Sequence, residues 1–164
     1  MIFVGIGANL PSSYGSPRAT CERAVEALIE AGVDVFARSR WYESAPVPVS
    51  DQPWYVNGVA AVKTDDDPAK LLQLLHNIEA RFGRVRRERN EARVLDLDLL
   101  AYHDLVWPGP EAPILPHPRL RDRAFVLLPL AELAANWRHP ETHEAISDLI
   151  ARLDPGQETR PLEH

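Results

Sequence analysis

The chain has one cysteine, Cys21, so it can form neither an intramolecular disulfide nor a cysteine zinc cluster. The residues around Cys21 read as a helix, where a lone thiol acts as a small, half-buried hydrophobe. No apolar run approaches the roughly 18 residues of a membrane-spanning helix. The start, Met1-Ile2-Phe3-Val4-Gly5-Ile6, reads as a strand rather than a basic leader. A cytoplasmic protein without membrane contact is therefore expected. Positive charge is in deficit, 18 Lys and Arg against 24 Asp and Glu for a net charge of −6, which argues against a general binder of nucleic acid. There is no G-x-x-x-x-G-K-[ST], so any ATP must be held in some other way. The 15 prolines and 8 glycines are scattered as punctuation, with no repeat and no low-complexity block. A length of 164 residues suits a single domain, 1–164, with a proper core, and a monomer is expected.

The positive charge that is present is local. Gly83-Arg84-Val85-Arg86-Arg87-Glu88-Arg89-Asn90-Glu91-Ala92-Arg93 carries many arginines and two acids, and it feeds Val94-Leu95-Asp96-Leu97-Asp98-Leu99-Leu100-Ala101-Tyr102. The latter alternates as a strand: Leu95, Leu97, Leu99 and Ala101 face one way, Val94, Asp96, Asp98 and Leu100 the other. Two ionised carboxylates on one face of an apolar strand are costly unless something positive compensates them. Hard oxygen ligands beside guanidinium groups are what metal-dependent phosphoryl transfer requires. Taken alone, a D-x-D pair is common on solvated strands, and the arginine run also reads as a solvated turn. An RNA-binding module and a metal-dependent nucleotidyltransferase are the alternatives in other classes.

In chain order, Ile2 to Gly7 reads as a strand, and Ser16-Pro17 caps a helix that ends at Gly32. Residues 33–42 read as one strand, and the proline-rich 43–53 as a long loop of the kind that is often functional. Trp54 to Val62 reads as the next strand, with Tyr55 and Asn57 on one face, a ring and an amide suited to a flat heterocycle. The alternative there is a core tyrosine and a turn-capping asparagine. Asp67-Pro68 starts a second helix, striped by Leu71, Leu72, Leu75, Ile78 and Phe82 and closed by Gly83. A second cationic stretch with an aromatic, Leu115 to Phe125, precedes helices over 125–133 and 144–153, and 157–164 reads as frayed. The order β-α-β-β-α-β predicts an α+β, ferredoxin-like antiparallel sheet. Its helices lie on one face, a helical tail follows, and the other face is left for a ligand.

Four blocks now stand in order: Asp51-Gln52-Pro53-Trp54-Tyr55-Val56-Asn57, Gly83-Arg84-Val85-Arg86, Arg93-Val94-Leu95-Asp96-Leu97-Asp98, and Pro116-His117-Pro118-Arg119 with Arg123 and Phe125. With Gly7-Ala8-Asn9-Leu10, they resemble the 6-hydroxymethyl-7,8-dihydropterin pyrophosphokinases of the folate pathway over nearly the whole chain. The resemblance implies transfer of the ATP diphosphate to the hydroxymethyl oxygen of the dihydropterin, with AMP leaving. It implies two Mg²⁺ on Asp96 and Asp98, with Arg84 and Arg93 also catalytic. It implies a pterin site from Ser44, Pro46, Val47, Tyr55, Asn57 and Phe125. It further implies ATP contacts from His76, Glu79, Arg86, Arg93, Leu99, His117 and Arg123. The sequence departs from the family's usual pattern at Ala8, Ala45, His76 and Asn90-Glu91-Ala92.

Overall fold

The computed structural model of the chain describes residues 1–46, 51–83 and 94–162. Strand β1 (Ile2–Ala8) is followed by helix α1 (Pro17–Glu30) and strands β2 (Asp34–Arg38), β3 (Tyr42–Ser44) and β4 (Tyr55–Lys63). Helix α2 (Pro68–Arg81), strand β5 (Asp96–Tyr102), helices α3 (Ala124–Leu133) and α4 (Ile146–Ala151), and strand β6 (Thr159–Pro161) complete the order. The strands form one antiparallel sheet in the order β5-β1-β4-β3-β6, with β2 also paired to β4.

Both long helices begin as their sequences predict. Ser16 accepts from the Ala19 N–H and Asp67 from the Lys70 N–H, each followed by a proline at the first helical position. Gly32 and Gly83 follow the helices with φ of 93° and 90°, the left-handed region that costs glycine nothing.

The strand expected over 33–42 is two pieces on one neighbour, β2 along Ala60 to Lys63 and β3 along Tyr55 to Asn57. The break comes where Trp41 lies over Gly58; a Cβ there would stand 2.6 Å from the indole. Ser39 fills the gap: its Oγ accepts from the Val59 N–H at 3.0 Å and donates to the Arg40 carbonyl at 2.7 Å.

One face of the sheet carries Ile2, Val4, Ile6, Ala60, Val62, Leu97 and Leu99, sealed by Ala24 and Leu28 of α1 and Leu71, Leu75 and Ile78 of α2. The second face is not left free, contrary to the sequence expectation. Phe3, Val59, Ala61 and Leu100 make its far half apolar, and Val126, Leu127 and Leu130 of α3 with Ile146 and Leu149 of α4 cover it. Apolar strand positions on both faces require cover on both, and α3 is apolar nearly all round. Ala101 also leaves its expected face. A register shift between β1 and β5 makes Leu100 the extra residue, so Leu100 and Ala101 both join the α3–α4 side. The stretch expected to fray instead extends the sheet: β6 pairs with β3, Thr159 opposite Ser44 and Pro161 opposite Tyr42.

Candidate active site

Toward its other end the second face exchanges aliphatics for glycines, acids and an amide. Gly7 lies between Asn57 of β4 and Asp96 of β5, and Gly5 lies between Val59 and Asp98. β1 therefore contributes no side chain between the amide and the acids. The result is a trough two strand spacings wide, about 9–10 Å from Asn57 to Asp96. A Cβ on Gly7 would stand 2.6 Å from Asn57 Oδ1, so the amide oxygen lies over the glycine. The other end of that amide is fixed, because Asn57 Nδ2 donates to Ser44 Oγ at 2.7 Å with both residues nearly out of solvent. A buried amide held in one orientation offers a defined hydrogen-bonding edge. Tyr55, paired with Ser44 and two residues before Asn57, is half-buried on the same side.

Asp96 and Asp98 are half-buried at the start of β5, one on each side of Leu97. The strand alternation read from the sequence holds here. Two backbone groups on the outer edge of β5 are taken up, one by α2 and one by the segment at His117. Glu79 of α2, 2% exposed, accepts from the Leu97 N–H at 2.8 Å, and the His117 N–H donates to the Leu100 carbonyl at 2.8 Å. His117 Nε2 stands 4.0 Å from Asp98 Oδ1. Burial, and then the Arg123 guanidinium, push the His117 pKa down to about 4, against the pull of Asp96. The geometry agrees: Nδ1 accepts from the Arg119 N–H at 3.2 Å, which leaves the neutral ring's proton on Nε2, toward Asp98.

Arg123 and Phe125 flank the first residue of α3. The guanidinium lies over the phenyl ring, 5.3 Å from its centroid, and Phe125 packs at the edge of the α3–α4 core. The loop from β3 to β4 is tied at both ends. Asn9 Nδ2 donates to Gln52 Oε1 at 3.3 Å and to the Pro53 carbonyl at 3.1 Å, and the Ala45 N–H donates to the Glu158 carbonyl at 3.0 Å. Pro46 is buried next to that second tie.

The structure therefore brings Ser44, Tyr55, Asn57, Asp96, Asp98, His117, Arg123 and Phe125 to one side of the sheet or its rim. Leu99 points into the α1–α2 core and is 3% exposed, and Glu79 reaches β5 from that side. His76 is half-buried on α2. Val47, Arg84, Arg86 and Arg93 lie outside the described residues. Among the described residues no group of three or more His, Cys, Asp or Glu could hold a metal by itself. Two half-exposed carboxylates suit a cation that keeps oxygen ligands from water and a substrate, as Mg²⁺ does, better than a closed zinc site. Gly5, Gly7 and Asn9 went unread as site residues. The signal for the glycines was present: glycine at alternate positions of a strand marks a face where something approaches the backbone.

These features define an α+β domain whose antiparallel sheet carries a trough floored by glycines and lined by an amide and two acids. Residues 3–135 match the profile of the 7,8-dihydro-6-hydroxymethylpterin-pyrophosphokinase family. A 2-amino-4-hydroxy-6-hydroxymethyldihydropteridine pyrophosphokinase of Methylorubrum extorquens is 39% identical over 154 residues, 93% of each chain. One of Pseudomonas aeruginosa is 39% identical over 85% of this chain and 84% of its own. Among solved structures, the HPPK-DHPS of Plasmodium falciparum superposes with a TM-score of 0.68 at 13% identity, over 92% of this chain and 43% of that one, a likeness of fold. This chain belongs to the 7,8-dihydro-6-hydroxymethylpterin-pyrophosphokinase family.

Proposed function

We propose that the protein transfers the diphosphate of ATP to the hydroxymethyl oxygen of 6-hydroxymethyl-7,8-dihydropterin in folate biosynthesis. The hydroxyl oxygen attacks the β-phosphorus, the bond from that phosphorus to the α,β-bridging oxygen breaks, AMP leaves, and the hydroxyl proton is released. The observation that carries this reading is the placing of Asp96 across Gly7 from Asn57, with Asp98 beside Gly5 and Tyr55 two residues before Asn57 on the same side of the sheet. A flat heterocycle over the glycines has an amide edge on one side and its hydroxymethyl arm toward the acids on the other.

Asn57, braced by Ser44, reads the pterin edge; Tyr55 and Phe125 stack on the ring; Pro46 lies at that end, and Val47, outside the described residues, is assigned to the pterin by the family resemblance alone. Asp96 and Asp98 hold two Mg²⁺. When bound, the metal supplies charge neutralisation for the phosphates and eases loss of the hydroxyl proton. His117 as a neutral Nε2–H donor and Arg123 as a cation orient the phosphates between the two halves. Arg84, Arg86 and Arg93, outside the described residues, are assigned to the phosphates by the family resemblance alone, as guanidinium groups that neutralise their charge. The nucleotide extends around the β5 edge toward His76, Glu79 and Leu99. We read the sheet as ferredoxin-like, with β2 and β3 as two pieces of one strand, and the protein as a cytoplasmic monomer that binds neither nucleic acid nor membrane. No helix among the described residues is long and apolar enough to cross a membrane.

The test is product analysis with ATP, Mg²⁺ and the dihydropterin. Equal amounts of AMP and diphosphorylated pterin are expected. Release of pyrophosphate with a nucleotidylated pterin would instead identify a nucleotidyltransferase.

A further inference from the structure

Helix α3 has no side-chain cap of its own. Its first residue is Ala124, and its N-cap position is Arg123, whose side chain makes no capping bond. The cap comes from 33 residues further along the chain. Gln157 Oε1 accepts from the Ala124 N–H at 2.9 Å, and Gln157 Nε2 donates to the Asp122 carbonyl at 2.7 Å. One amide thus grips both peptide groups that flank Arg123. The backbone of Arg123 is extended there, between the 3-10 turn Leu120–Asp122 and α3. With the guanidinium resting on Phe125, the grip on the backbone sets both side chains.

Gln157 is itself placed by the site's opposite wall. Its N–H closes a turn onto the Asp154 carbonyl at 3.1 Å. The next residue, Glu158, holds Ala45; Thr159–Pro161 pairs with β3; and the Leu162 N–H reaches the Trp41 carbonyl at 2.8 Å. Arg160 is ion-paired with Glu43 and lies 5.0 Å from the centroid of Trp54, beside Tyr55. Over six consecutive residues, Gln157 therefore holds the backbone around Arg123 while 158–162 hold Trp41 to Ala45, the segment that carries Ser44. We propose that Gln157 is a positioning residue, which fixes Arg123 and Phe125 relative to the Ser44–Asn57 wall. The proposal rests on the roles given above to Arg123 and Phe125.

An ordinary helix cap would also stabilise the fold, so stability alone does not decide the matter. The experiment compares steady-state kinetics and pterin binding in the full chain for the unmodified protein, Gln157→Leu and Gln157→Glu. It then repeats Gln157→Leu in an Arg123→Ala/Phe125→Ala background, read by single-turnover rates. Loss of two hydrogen bonds should lower kcat/KM for the pterin roughly tenfold in Gln157→Leu. Gln157→Glu keeps the acceptor for Ala124 and should recover part of that loss. In the Arg123→Ala/Phe125→Ala background Gln157→Leu should cost little more, because the groups it positions are gone. Unchanged kcat/KM in a folded Gln157→Leu protein, or the same fold loss in both backgrounds, overturns the proposal. An unmodified protein that makes no AMP sinks the functional reading and this proposal with it; one that turns over but tolerates Gln157→Leu sinks this proposal alone.

Discussion

The two faces of the sheet are written by the same strands, yet they do different work. On the α1–α2 face the alternate residues of β1, β4 and β5 are mainly aliphatic or alanine, with Gly58 lying under Trp41, and the helices above carry their own caps. On the α3–α4 face the alternation runs from Phe3, Val59, Ala61 and Leu100 at one end to Gly5, Gly7, Asn57, Asp96 and Asp98 at the other. There the covering helix borrows its cap from Gln157 and is tied down by polar contacts. Arg40 donates to Glu132 at 3.0 Å from its N–H and 3.1 Å from Nε, and the Tyr42 hydroxyl donates to the same carboxylate. Burial and the Glu132 carboxylate push the Tyr42 pKa up to about 12. The first face converts area removed from water into stability; the second gives up part of that area to hold polar groups in place.

This contrast breaks first at the acids. Asp98→Asn keeps the shape of β5 but removes half the negative charge of the proposed metal site, so kcat should fall by at least roughly a hundredfold, with a melting curve close to the parent's. A folded Asp98→Asn protein with near-normal turnover would end the metal reading. The opposite face should show the mirror image. Leu75 is fully buried, and Leu75→Ala should lower unfolding free energy by about 2–5 kcal/mol in a denaturant titration. The folded fraction should keep its KM for the pterin; a raised KM with unchanged stability would show that the two faces are not separable.

A smaller effect tests the trough itself. In Gly7→Ala the new methyl meets Asn57 Oδ1 at 2.6 Å, and Asn57 cannot yield without losing its bond to Ser44. Overpacking of this kind should cost about 1–3 kcal/mol of stability. Pterin affinity should weaken while ATP affinity holds, as read by calorimetry; equal weakening of both would remove Asn57 from the pterin subsite. Gly5→Ala should be milder, because its methyl would meet Leu100 side-chain carbons at 3.4 Å and beyond.

The smallest effect is a pH dependence. The His117 pKa is about 4 in the folded protein, against an ordinary 6.5. The unfolded chain therefore binds the proton more readily across that window, and unfolding gains from each proton taken up. The contribution of His117 to stability is present in full above pH 6.5 and fades as pH falls toward 4. Denaturation midpoints of the metal- and nucleotide-free protein should drop more steeply between pH 6.5 and 4.5 than those of His117→Gln. Parallel curves would show that His117 is not held neutral.

Much of this was legible in the residue order. Ser16-Pro17 and Asp67-Pro68 set helix starts by local capping, and the two-residue period of Leu97, Leu99, Asp96 and Asp98 sorted core from site before any contact was known. Both signals survive because they depend on neighbours within one turn or one pleat. The break at Ser39 was hidden because Val33 to Tyr42 contains neither proline nor glycine to mark it, and the cause, Trp41 meeting Gly58, lies 17 residues away. The bulge at Leu100 was hidden for the same reason: a register shift belongs to a pair of strands, and Leu100-Ala101 reads equally well in either register.

What the sequence determined by itself is therefore the two long helices and the strands β1, β4 and β5, the chemistry of the acids, ring and amide, and the family to which they belong, each carried by short-range pattern or by motif. What only the tertiary structure decided is how that chemistry is held. It made β1's glycines the floor of a trough and turned a polar, proline-containing tail into β6. It also made Gln157 the cap of a helix that lacks one. Glycine floors, added edge strands and borrowed caps are satisfied by partners distant in the chain, and a residue's type does not record which distant backbone group it will meet.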